Sequence, residues 1–191
     1  MQLQQLGRQN IQTYLQFFIC GILLFTSLGC NAEGNKRFNT FIKKFNLIEF
    51  TSDFSTLDKG KSISTDEFDL FLNLDSTKWK NTDEYSYFTI ARLDLNNFVG
   101  LIFERNYESD THGNIVEKVL CVFDKTGNLK SSLIVGGNYL IEDKEIYIDS
   151  DFKSDLSLEI KREEYLNGEE TKTETCFYNI NLDSGEINKI K

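Results

Sequence analysis

Leu156–Ile180 reads LSLEIKREEYLNGEETKTETCFYNI, with Asn167-Gly168 at its centre. A type I′ turn requires positive φ at both central residues, and asparagine followed by glycine meets that demand with little strain. Leu156, Leu158 and Ile160 alternate with polar residues before the turn, and Cys176, Tyr178 and Ile180 do the same after it. A period of two gives each segment one inward face, so the stretch is predicted to form two strands, Leu156–Tyr165 and Thr171–Ile180, joined by a tight hairpin. A loop this short makes them antiparallel.

The same alternation recurs upstream. Phe68, Leu70, Leu72 and Leu74 share one phase, as do Val99, Leu101 and Phe103, then Val119, Cys121 and Phe123, then Ile146 and Ile148. Between these runs lie turn signals at Asp94–Asn97, Asp110–Asn114, Asp124–Gly127, Gly136-Gly137-Asn138 and Asp183–Gly185. The chain contains no proline, so its loops turn on glycine, asparagine, aspartate or serine. The expected fold is mainly β: an antiparallel β-meander of roughly eight to ten strands, arranged as a sandwich, an open barrel or a strongly twisted sheet, with one N-terminal amphipathic helix. Phe123–Leu129 and Asn181–Ile187 also resemble each other, each placing an apolar residue two positions after a turn glycine.

The helix is expected where Phe38, Phe41, Ile42, Phe45 and Ile48 recur at helical spacing, with Lys36, Arg37, Lys43 and Lys44 between them. Its phenylalanine stripe has two readings. It packs on the sheet, or it lies on a membrane surface with its basic side toward headgroups.

Ahead of it, a polar start carrying Arg8 leads into the apolar run Phe17–Phe25, which ends in Ser27-Leu28-Gly29-Cys30. The apolar core is shorter than the ~20 residues a spanning helix needs, which favours a cleaved export signal. Ser27–Cys30 resembles the lipobox of bacterial lipoproteins, with Gly29 and Cys30 in place and Ser27 where the family prefers leucine. The resemblance implies diacylglycerol on the Cys30 thiol and cleavage ahead of it. Residues 1–29 are then a signal peptide, 30–36 a lipidated tether, and 37–191 a single β-rich domain that begins with the helix. The layout as a whole is similar to small cell-envelope lipoproteins of Bacteroidota, a group that brings no activity to carry over. The implied location is the cell envelope, with the N-terminal lipid as the membrane partner and the periplasmic or surface side left open. An ordinary signal cut near Ala32, leaving a soluble periplasmic protein, is the competing reading.

Cleavage there removes Arg8 alone among charged residues, so 21 basic side chains become 20 against 30 acidic, a net charge of −10. Such a surface argues against nucleic acid, whose phosphates demand a basic face. No residue pattern points to a catalytic, cofactor or metal site. His112, the single histidine, falls in a loop. The carboxylates of Asp149–Asp155 are clustered enough to consider calcium but lack the glycine and terminal glutamate of an EF-hand loop. Cys121 and Cys176 both fall on inward strand phases, which makes them a candidate disulfide, with two buried thiols as the other reading.

Three functions follow from different classes. The first is a lipid-anchored, non-catalytic binding or interaction module using an aromatic face around Trp79, Tyr85, Tyr87 and Phe88, with core packing as the competing role for those rings. The second is an envelope hydrolase whose carboxylates converge only in the fold, recognisable by a deep pocket holding an acid of raised pKa. The third is a structural or assembly component.

Overall fold

The structure, a computed structural model, describes residues 34–49, 57–72, 85–109, 113–153 and 155–190. Phe38–Lys191 form one compact unit, and Met1–Arg37 a second, of which only residues 34–37 are described. The signal peptide, Cys30, Trp79 and His112 lie outside the described residues.

Helix α1 covers residues 34–42, so it starts inside the stretch read as a tether and ends before Ile48. Two tightened turns close it, with Lys44 N–H donating to Phe41 O (3.0 Å) and Phe45 N–H to Ile42 O (3.2 Å). Strand β1 (Asn46–Leu47) follows, then β2 (Ser62–Ile63). Both lie along β3 (Tyr85–Leu95), β1 parallel to it and β2 antiparallel. From β3 the chain is an antiparallel meander: β4 (Phe98–Ser109), β5 (Gly113–Asp124), β6 (Leu129–Ile141), β7 (Lys144–Phe152), β8 (Ser157–Leu166), β9 (Glu169–Ile180) and β10 (Ile187–Lys189). The expected β-meander is therefore present, as one open ten-stranded sheet.

The Asn167-Gly168 hairpin is a type I′ turn, with φ of 52° and 81°. Two sequence expectations change. Residues 65–72 are helical where alternation suggested a strand: α2 (Thr65–Glu67) runs into a π-helical turn, Phe68–Leu72. Ser64 and Glu67 form a capping box that nucleates this turn, and Phe68 and Leu72, four apart, then share one buried side while Leu70 faces out. Gly136-Gly137-Asn138 is not a turn either. It lies within β6, beside a bulge that shifts the register between Lys118 and Val119, and the chain reverses later at Glu142-Asp143.

Both faces of β3–β5 are buried. On one, Phe38, Phe41 and Phe45 pack with Phe68 and Leu72 against Val99, Leu101, Phe103, Val119, Cys121 and Phe123. The phenylalanine stripe therefore packs on the sheet, and each fully buried ring contributes about 1.5–3 kcal/mol. On the other face, Leu93, Leu95, Ile102, Leu120 and Val122 share a cluster with Ile146, Ile148, Phe152, Leu158, Ile160 and Ile180. The later strands reach that cluster because the sheet curls over itself. Ser131 Oγ on β6 donates to Gly185 O beyond β9 at 2.7 Å, tying the curl. Among the described residues no helix is long and apolar enough to cross a membrane.

Candidate functional site

The inward phase of the later strands builds a cleft of about 270 Å³. Pairing explains its composition, because directly opposed residues share a face. Ile148 stands opposite Arg162, and Arg162 opposite Glu174. Ile160 stands opposite Cys176, and Tyr178 opposite Lys189. These rows, with Leu133, Ile134 and Tyr139 from β6, give an apolar and aromatic floor under a charged rim of Arg162, Glu174 and Lys189.

Arg162 and Glu174 at the rim each have a charged partner. Arg162 donates through Nε and Nη2 to Glu164 Oε1, both at 3.1 Å, and Lys144 Nζ reaches the other oxygen of Glu164 at 2.8 Å. Glu174 Oε2 accepts from Lys172 Nζ at 3.0 Å, and Cys176 Sγ donates to Glu174 Oε1 at 3.6 Å. The bond from Lys172 holds the Glu174 carboxyl below its ordinary pKa, and the neighbouring Cys176 sulfur pushes the Lys189 ammonium up. Burial, then Cys176, raises the Tyr178 phenol. The bond from Lys172 thus favours the ionised form of the cleft's carboxylate.

Behind Tyr139 lies a buried ionic group that the sequence did not suggest. Arg105 and Glu117 face each other across β4 and β5, 4% and 1% exposed. Arg105 Nε donates to Glu117 Oε2 at 2.7 Å, its Nη2 joins the same oxygen, and Tyr139 Oη donates to Glu117 Oε1 at 2.5 Å. Taking both charges out of water is costly, so each carboxylate oxygen needs its donor. Burial and this bond raise the Tyr139 phenol. The sequence signal was a base and an acid at matching inward positions of adjacent strands, visible only once the register is known.

Of the aromatic residues named from sequence, the three that are described each contact another side chain. Tyr87 is 5% exposed and stacks on Phe68 at 3.8 Å, Tyr85 meets Tyr107 at 4.9 Å, and Phe88 lies under the Lys59 ammonium at 5.1 Å. Cys121 and Cys176 are free thiols, and the candidate disulfide is not formed. Cys121 is fully buried in the helix-facing layer, where burial pushes its thiol up, whereas Cys176 is half-buried at the cleft. Strand phase was right for both, but phase does not say which layer a strand's inward side joins. In Asp149–Asp155, Asp151 pairs with Lys153 and Asp155 accepts from Ser157, so these acids serve a turn. Among the described residues, no group of three or more histidine, cysteine or acidic side chains could hold a metal ion. Comparison with protein-family models, curated proteins and solved structures found no match to the chain.

Proposed function

We propose that this protein is a lipid-anchored cell-envelope binding module, held at the membrane through Cys30 and acting through the cleft of β6–β10 without catalysis. The observation that carries the reading is the cleft itself: an apolar, aromatic floor with a few convergent polar groups is the usual make-up of a small-ligand site. The ionised state of Glu174 favours recognition over acid catalysis. The anchor rests on the apolar run closed by Cys30.

Ile160→Phe places a larger side chain in the floor and tests the reading. Melting of the full chain, followed by intrinsic tyrosine and tryptophan fluorescence, is measured against a library of small organic fragments. Binding raises the melting temperature by linkage. Fragments that stabilise wild type and not Ile160→Phe support the cleft. Stabilisation equal in both, or none from any fragment, contradicts it.

A further inference from the structure

We infer that the cleft takes a small organic anion with an apolar or aromatic body, its negative group seated at the Arg162 and Lys189 rim. The inference rests on the binding reading above and names the ligand class. What carries it is the way strand phase sorts charge across β7–β10. On the face bearing the cleft, the rows hold Lys144, Arg162, Lys172 and Lys189 against Glu164, Glu169 and Glu174, four positive charges to three negative. On the opposite face of the same strands, Glu145, Asp149, Asp151, Glu159, Glu163 and Glu170 stand with Lys161, six negative to one positive. In a chain of net charge −9, these strands carry +1 on the cleft face and −5 on the other, so the cleft face is the less acidic one.

The pairing at the rim points the same way. Glu164 is shared by Lys144 and Arg162, so its one charge is divided between two cations. Glu174 is bonded to Lys172, and Lys189 also adds to the positive field that lowers it. Arg162 and Lys189 therefore keep attraction to spare for an incoming anion; Glu164 takes the Nε–Nη2 edge of Arg162, so the anion meets the Nη1 side of the guanidinium and the Lys189 ammonium. Below them the floor is apolar. A cleft of 270 Å³ is small for a drug-sized ligand and fits a body of about ten to fifteen non-hydrogen atoms.

Cys176 supplies the readout, since it lines the cleft while Cys121 is fully buried. The full chain in lipid nanodiscs is treated with iodoacetamide, and alkylation at Cys176 is followed by mass spectrometry of its peptide. Three probes of matched shape are titrated: 4-phenylbutyrate, 4-phenylbutanol and 4-phenylbutylamine. The acid is expected to protect Cys176 at about tenfold lower concentration than the amine, since two partly screened cations attract one and repel the other. The exposed-rim double variant Arg162→Gln/Lys189→Gln is expected to remove that preference, so that the acid and the amine protect Cys176 at similar concentrations. Equal protection by all three probes, or a preference that survives the double variant, overturns the anion inference and leaves the cleft as a binding site. No protection by any probe also overturns it, and the cleft is then judged by the fragment melting of wild type and Ile160→Phe.

Discussion

Arg105 and Glu117 tie the folded state to one buried ion pair. Removing one partner leaves the other charged, buried and unpaired, so Glu117→Ala is expected to cost about 3–5 kcal/mol in urea unfolding. Replacing both with apolar residues, as in Arg105→Met/Glu117→Leu, should cost less than the sum of the single changes. Asp124 gives a pH-dependent counterpart. Burial acts to raise its pKa, but bonds from Thr126, Asn128 and Lys130 prevail and hold it well below the ordinary 3.8. A depressed folded-state pKa adds stability that is present above the unfolded value and lost as pH falls through the acid range below it. Wild type should therefore lose more stability than Asp124→Asn between about pH 7 and about pH 3, measured by urea midpoints. Equal losses would remove Asp124 from the account. At this scale the sequence was legible where chemistry is local, as in the Asp124 turn, and opaque for Arg105–Glu117, whose pairing is set by strand register.

Hairpin turns were the most legible elements, because their φ demands select residues directly. The two look-alike segments show the same construction: Gly127 (φ 92°) and Gly185 (φ 75°) each close a turn begun by Asp124 or Asn181. Each also seats an aromatic ring. A methyl group on Gly127 would lie 2.8 Å from Phe38 Cγ, and one on Gly185 would lie 2.7 Å from Phe98 Cε1. Gly185→Ala is expected to lower stability by about 1 kcal/mol or more, from left-handed backbone strain plus displacement of Phe98, and thermal melts check it. Residues 68–72 were misread because their apolar spacing fits both periods over so short a run. The deciding signal was the Ser64–Glu67 capping box just before them. Helix α1 was legible, and its function as a packing element makes Phe41→Ala an expected loss of about 3–5 kcal/mol. A change below about 1 kcal/mol would instead put its stripe on a surface.

The molecule as a whole has an open, curled sheet and an N-terminal sequence that resembles a lipoprotein signal. The meander followed from short loops, but the curl, and with it the cleft, did not. Those depend on how far the strands twist and on the β6 bulge that turns the sheet, neither of which leaves a period in the sequence. The charge sorting of β7–β9 was present in the sequence all along and gained meaning only when the cleft identified the inner side. Whether a binding module is carried on the membrane by Cys30 is decided by the mass and location of that residue's peptide. In cells making the full chain and its Cys30→Ser variant, envelope membranes are separated from the soluble fraction, and the N-terminal peptide is weighed. The expected result is wild type in the membrane fraction with Cys30 as the new N-terminus bearing diacylglycerol, and Cys30→Ser without lipid and displaced from that fraction. An unmodified Cys30, or identical membrane partitioning of both proteins, would contradict anchoring by Cys30.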